Sequence, residues 1–175
     1  MTTQNLIGPY HTFRFVVTFK EDAFAGGSAT DVPLCRGAFA ECTGLEATME
    51  PKVIKEGGRN YGTAQRAGPV TFATVILKRG MTFNHDLWKW FELLTSDGGY
   101  AYRLAATITM QDIAGNPVLE WKLEKAMPTK FKAADLNAKN SDLAVEELHI
   151  VHEGLTLKAI ETAPRTLKRA GGGNA

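Results

Sequence analysis

Residues 13–20 read Phe-Arg-Phe-Val-Val-Thr-Phe-Lys and show the pattern that governs most of the chain. Apolar side chains at 13, 15, 17 and 19 alternate with mostly polar ones at 14, 16, 18 and 20. Successive side chains of a β-strand point to opposite faces of the sheet. This alternation therefore predicts a strand with one face on a core and the other face in water.

Similar stretches follow along the chain and predict a mainly β fold. We predict further strands over 34–45, 70–78, 102–110, 118–124, 144–151 and 155–159. Residues 112–117 (Asp-Ile-Ala-Gly-Asn-Pro) are typical of a turn, since Asp caps its own backbone and Gly and Asn tolerate positive φ. The strands on either side should form a hairpin.

One α-helix is predicted over about 84–95, with Asn84 as its N-cap and Phe83 packing onto Trp88. Trp88 and Trp90 widen the apolar arc beyond what contact with a single sheet requires. Two interpretations are open at this point. Either the helix is deeply buried in its own domain, or these tryptophans meet a neighbouring subunit.

Polar segments separate the strands. The segment 46–69 is a long loop with mixed charges, and such a length inside a compact domain indicates function. Residues 21–33 form a flexible insertion, and 161–175 form a flexible, basic, Gly-rich tail. The remaining 1–160 fit a single domain, because domains usually hold about 100–200 residues.

Composition excludes several classes of protein. Of 175 residues, 44% are hydrophobic, and 20 basic residues face 19 acidic ones, which gives a net charge of +1. This balance argues against a dedicated nucleic-acid binder held by phosphate neutralisation. The first residues lack the features of a leader peptide, and no stretch approaches the roughly 20 apolar residues of a membrane span. We expect synthesis in the cytoplasm, with later release possible as part of a particle.

No catalytic constellation emerges from the sequence. His149 and His152 are three residues apart in a predicted strand, so they face opposite sides and cannot share a metal. No Ser lies in a nucleophile elbow, and no Gly-rich segment fits a nucleotide fingerprint. We therefore predict no enzyme activity, no metal and no cofactor; a small β-barrel enzyme that uses these histidines is a weak alternative. Exposed strand edges favour assembly instead.

Five segments, in order, carry a family resemblance. They are Gly8-Pro9-Tyr10 leading into 13–15, Cys42-Thr43-Gly44-Leu45-Glu46 running to 56–58, Leu77-Lys78-Arg79-Gly80 followed by 86–91, Ala114-Gly115-Asn116-Pro117 with Trp121, and Ala126-Met127-Pro128 through 136–138 to 152–155. In these segments the chain resembles the tail tube proteins of contractile phage tails and phage-like contractile injection systems. That family is related in fold to the haemolysin-coregulated protein of type VI secretion.

The resemblance implies a β-barrel-like sandwich with one helix and a protruding loop. It implies hexameric rings that stack into a tube inside a contractile sheath, with baseplate and spike proteins at one end and effectors or DNA in the lumen. In such a structure the loop would contact neighbouring subunits and the next ring through Glu46, Glu50, Lys52, Lys55, Glu56 and Arg59. Lumen candidates are Arg14, Thr18, Lys20, Thr107 and Thr109. The alternative function is a secreted single-ring effector carrier of the haemolysin-coregulated type.

Overall fold

The computed structural model describes residues 12, 14–21, 39–58, 60–96, 102–139, 141 and 143–160. Within these residues the chain forms antiparallel strands and one helix, which confirms the predicted mainly β fold. The elements are β1 (Phe15–Glu21), β2 (Glu41–Thr43), β3 (Ala47–Met49), β4 (Lys52–Ile54), β5 (Ala64–Arg66), β6 (Val70–Phe72), β7 (Val75–Gly80), α1 (Asp86–Thr95), β8 (Leu104–Gln111), β9 (Pro117–Lys132), β10 (Val145–Val151) and β11 (Gly154–Ala159).

The long strand β9 belongs to two sheets. Its first half pairs with β8 on one side and β11 on the other, and its second half pairs with β10. Between the halves, Lys125 adopts a positive φ of 50°, which is rare outside glycine and bends the strand. We call the group β1-β8-β9-β11 the front sheet and the group β9-β10-β7-β2 the back sheet.

The two sheets enclose one apolar core. Alternate residues of β1 and β8, such as Phe19 and Ile108, face alternate residues of β7 and β10, such as Leu77 and Leu148. All four side chains are at most 2% exposed. The core therefore forms where the period-two pattern of both sheets converges. Among the described strands this gives a sandwich-like fold with open sheet edges rather than a closed barrel.

The helix α1 closes one end of the sandwich. Trp90 is completely buried, and its ring meets Phe19 edge-on at a centroid distance of 5.2 Å. The helix begins at Asp86 with His85 at the N-cap position, so the expected Asn84 cap is wrong. The expected packing of Phe83 onto Trp88 is also wrong, because Phe83 is 97% exposed.

Several predicted boundaries also change. The strand expected over 70–78 is interrupted at 73–74, and the strand expected over 118–124 continues to Lys132. Within 34–45 the described strand is only Glu41–Thr43, while residues 34–38 lie outside the described residues. The insertion after Glu21, Arg59 and the tail 161–175 also lie outside them.

Candidate assembly surfaces

The segment 46–72 is a two-stranded ribbon rather than a loop, and we call it the arm. Strand β3 pairs with β6, and β4 pairs with β5, so the chain runs out and back along itself. Gly68 allows the two halves to approach, since a Cβ at this position would lie 1.9 Å from the carbonyl oxygen of Glu50. The sequence suggested a long loop because the paired segments are only three residues long.

The arm is poorly covered by the rest of the subunit. Every described residue of β3 and β4 is exposed. Exposed apolar side chains include Met49, Val53, Ile54, Tyr61 and Val70, each at least 40% accessible. A two-stranded hairpin is marginally stable alone in water. The arm thus presents an apolar surface alongside the charges that the sequence singled out.

The predicted arm residues that the structure describes all occupy this exposed ribbon or its base. Glu46, Glu50, Lys52, Lys55 and Glu56 are exposed, and Arg59 lies outside the described residues. Lys52 pairs in register with Arg66, which places two like charges side by side on the ribbon. Such a pair is unfavourable in an isolated ribbon.

The arm joins the body of the subunit beneath His152. The ring of Phe72, in β6, lies 5.1 Å from the imidazole of His152 between centroids. Nδ1 of His152 lies 2.9 Å from the carbonyl oxygen of Gly154, which only accepts, so Nδ1 is the donor. Nε2 is buried without a hydrogen-bond partner. Burial lowers the pKa of His152 below its ordinary value, and the Gly154 contact opposes this shift.

His149, the other histidine considered in the sequence, has a different environment from His152. His149 lies within β10, where its Nε2 is 3.6 Å from a carboxylate oxygen of Glu147. Among the described residues, no group of three or more His, Cys, Asp or Glu side chains is arranged to hold a metal ion.

The outer face of the front sheet, which we call the front face, brings the lumen candidates together. Thr18 pairs with Thr107, and the next residues on the same face are Lys20 and Thr109. Arg14 precedes β1, and its carbonyl oxygen accepts a hydrogen bond from the Gln111 amide at 3.0 Å. Sequence reasoning missed the members that β9 and β11 contribute, which are Glu120, Lys122, Glu124, Thr156 and Lys158. The alternation within those two strands was the signal for them.

The two helix tryptophans have different environments. Trp88 is 45% exposed and contacts Phe91 and Phe131 at centroid distances of 5.8 and 5.4 Å. Trp90 is completely buried in its own subunit, which agrees with the first of the two interpretations for this residue. Trp88 alone of the pair has surface available for such a contact.

A buried charge network connects the helix to the back sheet, and the sequence reasoning missed it. Arg79 donates from Nε to Glu146 Oε1 at 2.5 Å, from Nη2 to Asp86, and from Nη2 to the Asn84 carbonyl at 3.2 Å. All three charged side chains are at most 5% exposed. The available signal was a charged residue on the core side of an alternating strand, since Arg79 continues the buried row of Val75 and Leu77.

The opposite end of the sandwich holds a cavity of about 290 Å³. Its lining is mainly apolar and includes Phe15, Met110, Trp121 and Cys42. Burial raises the pKa of the Cys42 thiol to about 11, so the thiol stays protonated at neutral pH. In the described part of the chain, no helix is both long enough and apolar enough to span a membrane.

Comparison with solved structures shows the same fold in injection machines. A chain from the cryo-EM structure of the anti-feeding prophage baseplate aligns with a TM-score of 0.73 and 22% identity, covering 90% of this chain and 100% of that one. A chain from the extended sheath-tube complex of the PVC extracellular contractile injection system gives 0.69 and 18%, covering 91% and 100%. A type six secretion system protein gives 0.54 and 11%, covering 86% and 87%.

Comparison with sequences gives the family. No curated protein matches the chain. The family model described as T4-like virus tail tube protein gp19 matches residues 11–156, which is most of the chain. This range includes the arm, the helix and all described strands except the last three residues of β11. The chain therefore belongs to the T4-like tail tube protein family.

Proposed function

We propose that the chain closes into hexameric rings that stack to form the inner tube of a contractile injection apparatus. The observation that carries the proposal is the pair of free edges on the front sheet. In the described part of the chain, β1 pairs on one side only, with β8, and β11 pairs only with β9. Free edges of this kind are used for pairing with another chain or must be protected.

The direction of the strands supports closure by these two edges. The four strands of the front sheet alternate in direction, so β1 and β11 run antiparallel to each other. In a ring with rotational symmetry every copy has the same orientation. The β11 edge of one subunit would then meet the β1 edge of the next in antiparallel orientation, and the alternation would continue around the ring.

Leu157 supports the same contact. It pairs in register with Trp121, which pairs with Ile108, so it lies on the core side of the front sheet. Yet Leu157 is 60% exposed, whereas Ile108 is only 2% exposed. A core-side leucine left open at an edge strand fits a core that a neighbouring subunit completes.

The arm is the proposed contact with neighbouring subunits and the next ring. Its uncovered apolar residues would supply binding energy, and its charges would set the register. The front face would line the lumen, and Trp88 is a candidate for a contact between subunits. The sheath would surround the tube, and baseplate and spike proteins would adjoin its end. The subunit would act by assembly and without catalysis.

Electron microscopy of the purified protein tests the proposal. We expect negatively stained rings or tubes at high concentration, and Leu157→Lys should prevent their formation while the monomer stays folded. Ile113→Lys is the matched control, because Ile113 is 74% exposed in the hairpin turn, away from both edges. A wild-type protein that stays a monomer of about 19 kDa at every concentration would contradict the proposal.

A single-ring carrier of the haemolysin-coregulated type is the second candidate. The uncovered arm favours stacked rings, because a ring that never stacks would leave the apolar ribbon in water. Isolated rings that fail to stack at any concentration would favour the carrier.

A further inference from the structure

The front face is a regular array of side chains on four strands. One cross-strand row contains Thr18, Thr107, Lys122 and Thr156, and the next contains Val16, Thr109, Glu120 and Lys158. Neighbouring strands are about 4.8 Å apart, so the polar groups of each row form a continuous line.

The front face is basic although the chain is nearly neutral. Four basic residues (Arg14, Lys20, Lys122 and Lys158) and two acidic ones (Glu120 and Glu124) give this face 4 − 2 = +2. The whole chain carries +1, so the rest of the molecule sums to −1. The tail 161–175 accounts for another +2, so residues 1–160 sum to −1 and the front face is basic within a slightly acidic domain.

Three of these basic groups are available to bind a partner. Arg14, Lys122 and Lys158 are exposed, and none of them forms an ion pair within the part of the chain that the structure describes. The back sheet differs, because its outer face pairs Lys78 with Glu41 at 3.0 Å and Lys132 with Asp135 at 3.6 Å. Lys158 lies opposite Glu120 in the pairing register, yet no carboxylate of the described residues is within ion-pair distance of Lys122 or Lys158.

The pattern fits a polypeptide better than a nucleic acid. Glu120 and Glu124 flank Lys122 two positions away on either side, on the same face, and would repel an unbroken line of phosphates. The rows contain no aromatic side chain on which bases could stack. A polypeptide with spaced acidic side chains can place carboxylates at the lysines and hydrogen-bond its backbone to the threonine hydroxyls.

We infer that the front face binds acidic polypeptide segments, held by Lys122 and Lys158 and positioned by the threonine rows. The inference deepens the proposed function, on which it rests, by naming the chemical class of the cargo. In a hexameric ring the basic array would be repeated around the lumen, so weak contacts would add along a bound chain.

Fluorescence anisotropy with labelled oligoglutamate, its glutamates separated by serines so that the acidic side chains are spaced, tests this inference on assembled wild-type protein. We expect binding that weakens as ionic strength rises from about 0.05 to about 0.5 M, because salt screens exposed charges. The double variant Lys122→Glu and Lys158→Glu should weaken binding by roughly tenfold or more, since two attractive contacts become repulsive. The control Lys89→Glu and Lys130→Glu makes the same charge change at exposed residues of α1 and the back sheet.

The outcomes separate this inference from the proposed function. Electron microscopy of each variant reports ring assembly independently of peptide binding. Rings that form but bind oligoglutamate no better than oligolysine would overturn the inference and leave the tube proposal intact. Equal loss in the control variant, or tighter binding of a single-stranded oligonucleotide than of oligoglutamate, would overturn it as well.

Discussion

The aromatic ring of Phe72 lies against the imidazole of His152, with 5.1 Å between ring centroids, where the arm meets the body of the subunit. This contact links the pairing of β6 to the turn between β10 and β11. Nε2 of the same imidazole is buried and has no acceptor among the described residues for an added proton.

The first prediction concerns pH. The folded state binds a proton at His152 less readily than the unfolded chain, whose histidine has the ordinary pKa of 6.5. Stability should therefore fall as pH drops below about 6.5 and level off once the lowered folded pKa is passed. Thermal melts from pH 7.5 to 5 check this, and His152→Gln should flatten that part of the curve.

His85→Gln is the control for this experiment, since His85 is exposed at the start of the helix. An equal flattening in this control would show that the effect is not specific to His152. A hydrogen bond from Lys125 lowers the pKa of Glu153 below its ordinary 4.5, so its contribution is lost only in more acidic solution. Glu153 therefore contributes little to a change of stability between pH 7.5 and 5.

The second prediction concerns the buried charge network. Arg79→Met leaves Asp86 and Glu146 buried without a counter-charge, and breaking such a network costs about 3–5 kcal/mol of unfolding free energy. Urea unfolding measures the loss. Lys78→Met removes a more exposed partner of Glu41 and should cost less than about 1 kcal/mol. Similar losses in both variants would show that the network does not hold the helix.

The third prediction concerns the crossing within the arm. Gly68→Ala puts a Cβ into the Glu50 carbonyl, so the two halves of the ribbon must separate. We expect faster amide exchange in β3 to β6, with the two sheets unchanged. Gly57→Ala meets nothing within 4 Å and has no positive φ, so it should leave exchange unaltered. Unchanged exchange in Gly68→Ala would mean that the strands do not pair in solution.

The fourth prediction concerns the charges on the arm. Reversing Lys52 and Lys55 to Glu should impair ring stacking, because opposite charges across a contact steer and fix its register. Both residues are exposed, so the melting temperature should hardly change. Negative-stain images count stacked against single rings. A fall in melting temperature as large as the loss of stacking would mean that the arm supports the subunit's own fold.

Much of the fold follows from local sequence pattern. Alternation of apolar residues was enough to place β1, β8, β10 and β11 within a few residues, and turn chemistry located the hairpin at 112–117. In that hairpin the carboxylate of Asp112 accepts from the Asn116 amide at 2.8 Å, as its composition suggested. These features depend on neighbours in sequence, so a single chain contains the information for them.

The remaining features depend on partners that are distant in sequence. Strand β9 continues beyond Glu124 because β10 pairs with its second half. The arm is a ribbon because residues 47–54 pair with residues 64–72. Trp90 is buried because Phe19, about 70 residues earlier, lies against it. The alternation within β9 and β11 indicates which way Lys122 and Lys158 face, but the residues beside them are known only once the register is known.

The pairing of β1 with β8 has a consequence for the newly made chain. The closest register pair, Glu21 with Leu104, spans 104 − 21 = 83 residues of sequence. At typical synthesis rates of about 5–20 residues per second, synthesis of β8 follows that of β1 by roughly 4 to 17 s. During that interval Val17 and Phe19 are uncovered, and both edges of β1 are open. Strand β1 thus emerges from the ribosome unpaired and with apolar side chains exposed. Crowding of nascent chains would favour its mispairing before any ring can form.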